Sequence, residues 1–181
     1  MLKTLITIGS LAGVLSLAAV GHTQAMPTAV AKGALQVGGG YSYGMPDYAQ
    51  KNIQGISGFV DYNVSLHLGA EADIHYISVS TPSDLGENSY LVGPRFTYPR
   101  GRFSIYGKAL FGIGSIVIQE AADNPEGGAG NYFAYALGGG LDVLATKHIV
   151  VRAIDFEYQH WSYGSGLTPV AVTVGAAYRF R

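Results

Sequence analysis

The chain contains no cysteine, which excludes a disulfide framework and any thiol chemistry. Charge is also scarce. Asp, Glu, Lys and Arg make up 13% of the residues, with 11 basic against 12 acidic side chains and a formal net charge of −1. That balance has no basic footprint, so nucleic acid is excluded as a partner. Long apolar runs are missing beyond the first residues. From Met26 onward no stretch is long and apolar enough for a transmembrane helix. The length of 181 residues suits one domain.

The N-terminus reads as a secretory signal. Lys3 is the positive n-region and Leu5 to Val20 the apolar h-region. That run is short of the ~20 residues of a spanning helix. Thr23-Gln24-Ala25 places small residues where a signal peptidase reads them. The expected division is residues 1–25 as a cleavable signal peptide and 26–181 as a single β-barrel.

Glycine and tyrosine are abundant, with 26 and 13 copies. They suit closely packed strands and an aromatic belt. The rest of the mature chain alternates with a period of two. Predicted strands are 33–44, 54–64, 66–76, 89–98, 103–118, 132–144, 149–161 and 169–180. The third is the cleanest, with Leu68, Ala70, Ala72, Ile74 and Tyr76 opposite His67, Gly69, Glu71, Asp73 and His75. Pro94 cannot donate to a sheet ladder, so a bulge or an unpaired position is expected there. In the seventh strand the alternation puts Arg152 among the apolar residues. Either Arg152 snorkels at a membrane edge or a bulge shifts the register. Connections alternate short (near 64, 99–102, 145–148) and long (45–53, 79–88, 119–131, 160–168). Loops sorted by side in this way are the pattern of an outer-membrane barrel.

The charges orient the barrel. Asp61, Glu71, Asp73, Arg95, Lys108, Asp142, Glu157 and Arg179 all lie opposite the apolar stripes. In a membrane barrel they face a lumen just wide enough for side chains, where the carboxylates are expected to pair with Arg95, Lys108 and Arg179. Aromatics cluster at both strand ends. Tyr41, Tyr43, Tyr76, Tyr90, Phe133, Tyr135 and Tyr158 lie toward the long loops. Tyr62, Phe96, Tyr98, Phe103, Tyr178 and Phe180 lie toward the short turns. Two girdles are expected at two water interfaces.

The closing segment, with Thr173, Gly175, Tyr178 and Phe180 in the pattern Thr-x-Gly-x-x-Tyr-x-Phe, resembles the C-terminal assembly signal of outer-membrane β-barrels. The whole mature chain resembles the small OmpA/OmpX-type barrels. The resemblance implies an all-β fold, an eight-stranded antiparallel up-and-down transmembrane barrel. It also implies a Gram-negative outer membrane, insertion by the barrel assembly machinery, and outer-membrane lipid and lipopolysaccharide as surroundings. Arg181 follows the aromatic where many members end on Phe.

Few motifs carry chemistry. His160-x-Ser162 resembles part of the site of outer-membrane lipid A deacylases, in which His activates Ser. That family has a Glu about a dozen residues later; here no acid follows Glu157, which stands near His160 as a substitute. The competing reading is an aromatic rim of Tyr158, His160, Trp161 and Tyr163 at headgroup level. His67 and His75 share a face with Glu71 and Asp73, but eight strand residues span roughly 26 Å, so one ion cannot join both histidines. Gly38–Gly40 and Gly138–Gly140 fit no phosphate loop and instead suit bends or large neighbours. The expected protein is a monomeric, non-enzymatic barrel with no cofactor and no metal, a filled polar lumen, short outer loops, and a structural or surface-interaction role. The alternatives are a lipid A-modifying hydrolase using His160 and Ser162, and a narrow pore.

Overall fold

The computed structural model describes residues 28–46, 53–78, 85–118, 128–162 and 166–180. The segment expected to be a signal peptide and the tips of the long connections lie outside them. Eight strands form one closed antiparallel barrel: β1 Leu35–Met45, β2 Ile53–Asn63, β3 Leu68–Ser78, β4 Leu85–Arg100, β5 Phe103–Ile118, β6 Gly128–Leu144, β7 Ile149–Trp161 and β8 Val170–Phe180. Each strand pairs with its sequence neighbour. The first and last close the ring over a continuous register from Leu35↔Phe180 to Met45↔Val170. Closure leaves no unpaired edge, which a hydrocarbon surrounding demands.

The period of two decides which side chain goes where. Outward positions carry Val37, Ile56, Ile74, Val92, Leu137 and Val174, all more than a third exposed. Inward positions carry Ser42, Asp61, Glu71, Lys108 and Glu157, all buried. This is a soluble protein turned inside out. The aromatics predicted for the two girdles are on the outer surface, and Tyr76 and Tyr90 meet edge-to-face with hydroxyls 2.8 Å apart.

The short turns are built from local hydrogen bonds. Arg100 pairs with Phe103, so the β4–β5 turn has two residues, and Gly101 at φ 57° supplies the left-handed position. In the β6–β7 turn the Thr146 hydroxyl accepts from the Ile149 amide at 3.0 Å. In the β2–β3 turn the Ser65 hydroxyl accepts from the amides of His67 and Leu68. That capture extends the turn, so β3 begins at Leu68 rather than at 66. His67 is consequently exposed in the turn, not on the inner face beside Glu71 and Asp73.

Three other strands differ from the alternation. β4 and β6 begin earlier, at Leu85 and Gly128, because both pair with the apolar end of β5. Pro94 causes no bulge. The register of β4 is the same on either side of it, but Gly93 and Pro94 are left out of the β5 pairing. In β7 the register shifts between Arg152 and Asp155, with Ala153 and Ile154 both outward. This bulge, not snorkelling, accommodates Arg152.

Candidate functional site: the charged interior

The inward faces of β2 to β7 converge on one buried network. Arg95 pairs with Asp61, reaches Asp142 Oδ2 at 2.5 Å and has its Nε 3.3 Å from Glu71. Arg152 donates to Asp61 at 2.9 Å, to Glu71 at 3.2 Å and to Asp142 at 3.3 Å. Lys108 Nζ lies among four carboxylates: Glu71 at 2.7 Å, Asp73 at 3.2 Å, Asp155 at 2.6 Å and Glu157 at 2.5 Å. All these groups are almost fully buried. Such charges persist in a dry interior only when paired and hydrogen-bonded.

Aromatic faces complete the cation sites. The Arg152 guanidinium lies 3.6 Å over the Phe59 ring, and that of Arg95 3.8 Å over Tyr106. The glycine triplets make room for these rings. A β-carbon at Gly38 would sit 2.5 Å from Phe59 Cζ, and one at Gly140 would sit 2.7 Å from the Tyr106 hydroxyl.

Above and below this charged layer the lumen holds apolar clusters among buried polar side chains, such as Ser42, Glu87 and Gln159 on the outer side and Gln36, Asn63 and Thr97 on the periplasmic side. On the outer side Leu91, Leu110, Ile116, Ala134, Ala136 and Trp161 form one cluster, and Ile53, Ile77 and Ala171 form another. On the periplasmic side Ala29, Phe59, Leu144, Val150 and Ala177 cluster. Ala29 comes from the segment before β1, whose amide donates to Gly101 across the barrel mouth.

Of the eight sequence-predicted lumen charges, Asp61, Glu71, Asp73, Arg95, Lys108, Asp142 and Glu157 meet in this layer. Arg179 is the eighth. It is buried at the periplasmic mouth, where its guanidinium donates to the carbonyls of Thr28, Ala29 and Lys147. Arg152, not among the expected partners, pairs with Asp61, Glu71 and Asp142. Arg152 and Asp155 were missed as partners because they have opposite parity in the sequence. Two charges of opposite parity in a lipid-facing strand are themselves a sign of a bulge. His75 is also in this layer, 2% exposed, beside Asp73 and Glu157.

The outer end of β7 corrects two expectations. Trp161 does not line a headgroup rim. It is 1% exposed inside the barrel, and its indole N–H donates to Gln159 at 2.9 Å, which in turn donates to Glu157 at 3.0 Å. His160 points the other way, its ring 5.0 Å from that of Tyr135. Glu157 and His160 therefore lie on opposite faces, and Glu157 cannot orient the imidazole. Among the described residues no hydrogen bond joins His160 to Ser162, whose amide donates to Phe133. Tyr163 lies outside the described residues.

In the closing strand, Thr173 is buried with its hydroxyl 2.7 Å from that of Ser42, and Gly175 pairs with Gly40 across the seam. Tyr178 and Phe180 are exposed, 4.8 Å apart, and His148 stacks on Tyr178.

Solved structures share this architecture. The attachment invasion locus protein Ail of Yersinia pestis matches with a TM-score of 0.61 at 21% identity, over 83% of this chain and all of that one. Neisserial surface protein A matches with a TM-score of 0.62 at 9% identity, over 81% of this chain and 94% of that one. The outer membrane protein OprG of Pseudomonas aeruginosa matches with a TM-score of 0.57 at 12% identity, over 83% and 97%. No curated protein matches the sequence. A family model matches residues 11–180, nearly the whole chain, and with the closed barrel and its lipid-facing exterior it shows that the protein belongs to the outer membrane protein beta-barrel domain family.

Proposed function

We propose that this bacterial outer-membrane barrel is a non-conducting, non-enzymatic, monomeric surface protein. Its contribution is to envelope structure and to contacts made through its outer loops, in surroundings of lipid and lipopolysaccharide. The carrying observation is the lumen. A paired charge layer lies between an outer apolar cluster around Trp161 and Leu110 and a periplasmic one around Leu144 and Val150. Ions would have to pass these packed side chains and displace buried ion pairs.

Among the described residues no acid stands behind His160 for the hydrolase reading, since Glu157 faces Lys108 and the lumen. Ail, which shares the fold, has been solved in complex with the heparin analogue sucrose octasulfate, and this supports a role in surface contacts here. Export proceeds by cleavage after Ala25. Insertion proceeds through the barrel assembly machinery reading Thr173, Gly175, Tyr178 and Phe180. Mature protein in outer-membrane fractions is expected to begin at Met26.

Reconstitution tests the reading. The purified barrel in planar bilayers is expected to give no stable conductance level and to leave lipid A acyl chains intact. Reproducible openings would replace this reading with the narrow pore. Fatty-acid release that requires both His160 and Ser162 would replace it with the hydrolase.

A further inference from the structure

Carboxylates outnumber cations inside the barrel. Asp61, Glu71, Asp73, Asp142, Asp155 and Glu157 are each at most 4% exposed. The cations that ion pairs bring to them are Arg95, Lys108 and Arg152. An excess of buried negative charge is strongly unfavourable. It is greatest at the outer edge of the layer, where Lys108 pairs with Asp73 and Glu157 and shares Asp155 with Arg152, and Glu71 with Arg152 and Arg95.

His75 is aimed into that edge. Its Nε2 lies 3.5 Å from Asp73 Oδ1 and its Nδ1 lies 3.8 Å from Glu157 Oε2. Neither ring nitrogen has a hydrogen-bond partner among the described residues, and neither has Asp73 Oδ1. A neutral imidazole has one N–H and one lone pair, and an ionised carboxylate only accepts. One of the two ring nitrogens therefore turns a lone pair toward a carboxylate, which is repulsive unless positive charge lies between them. Asp73, His75 and Glu157 offer one ligand atom each, all within 4.8 Å of one another.

The geometry points to a divalent metal site in the barrel interior, formed by Asp73, His75 and Glu157, on the outer side of Lys108. One imidazole nitrogen with two carboxylates suits a borderline transition ion such as Zn²⁺ better than Ca²⁺ or Mg²⁺, which take oxygen ligands. Lys108 leaves the ligand atoms available. It takes Asp73 through Oδ2 and Glu157 through Oε1, while Asp73 Oδ1 and Glu157 Oε2 face His75. Gln159 donates to Glu157 Oε2 and accepts from Trp161, so it orients the ligand from behind and links the site to the protein's one tryptophan.

The test uses untagged full-length protein, extracted from membranes in detergent without unfolding, with Zn²⁺ as the probe. After zinc addition and dialysis, elemental analysis is expected to find one zinc per barrel, and loading is expected to change Trp161 emission. H75Q should lower retained zinc at least about tenfold, while H67Q, altering the exposed turn histidine, should not. Wild-type protein that retains no zinc would overturn the site and leave protons as the balancing charge. Full zinc retention by H75Q would also overturn it. If H75Q fails to reach the membrane, zinc-edge X-ray absorption of the loaded wild type decides. Imidazole outer-shell scattering is expected, and its absence would overturn the assignment.

Discussion

Arg152 and Asp155 both point into the barrel although three positions separate them on one strand, and Arg152 Nη1 lies 3.6 Å from Asp155 Oδ2. The bulge at Ala153 and Ile154 makes this possible, and through it Arg152 also reaches Asp61, Glu71 and Asp142. Removing that guanidinium while its partners stay charged and buried is expected to cost about 3–5 kcal/mol. R152M should therefore lower the urea midpoint for unfolding from lipid vesicles, followed by heat-modifiable gel migration. R152K should recover only part of the loss, because an ammonium cannot form the same fork of bonds while lying flat on Phe59. An unchanged midpoint for R152M would show that the network contributes little to stability.

The outer surface gives an independent test of orientation. Leu137 is 57% exposed, while its neighbour Ala136 is buried in the outer apolar cluster. L137R at mid-membrane should cost about 2–4 kcal/mol through lipid exposure of a charge. Arginine at Ala136 would fail for a different reason, lack of room among Leu91, Leu110 and Trp161. Equal folding yields of wild type and L137R in lipid would contradict the lipid-facing assignment.

Packing inside the barrel can be probed with single methyl groups. A β-carbon at Gly114 would lie 2.6 Å from the Trp161 ring, whereas one at Gly107 meets only the Gly138 carbonyl at 3.8 Å. G114A is expected to cost about 1–3 kcal/mol by overpacking, and G107A much less on that account. The single tryptophan reports the difference, because only G114A should shift its emission and raise its quenching by acrylamide.

The strand count and inside-outside sorting were legible because lipid permits only one arrangement of an alternating chain. Glu71 and Asp73 must face inward if Ile74 and Tyr76 face out, and no soluble partner can blur that choice. What was illegible came from breaks in parity. His67 continues the β3 alternation on paper, but Ser65 captures two amides and moves the strand start to Leu68. Trp161 has the composition of a rim aromatic, yet Glu157 and Gln159 share its parity and carry it inside. The bulge in β7 could be suspected from Arg152 but not located, since either side of the strand could absorb the extra residue. Arg179 has the predicted inward face, but its bonds to the carbonyls of Thr28 and Lys147 could not be read from parity. A periodicity of two says which way a side chain points, not which layer it meets.

The closing strand separates assembly from final stability. Of its outward aromatics at the periplasmic boundary, Tyr178 stacks on His148 and meets Phe180 edge-on. Between them Arg179 turns inward and holds the carbonyls of Thr28 and Ala29. Both aromatics are nearly half exposed, so they remove little apolar area from the surroundings once the barrel is built. The ladder with β1, from Leu35↔Phe180 to Met45↔Val170, depends on backbone groups and persists when the rings are cut back. A double Y178A/F180A variant should therefore show strongly reduced outer-membrane levels in cells. The same variant folded in detergent should keep a barrel close to wild type in its urea midpoint. Pulse-labelling with fractionation reads the first quantity and gel migration the second. Normal membrane levels would mean that Tyr178 and Phe180 are not read during insertion. A large fall in the detergent midpoint would mean instead that the aromatic cluster with His148 clamps the seam of the finished barrel.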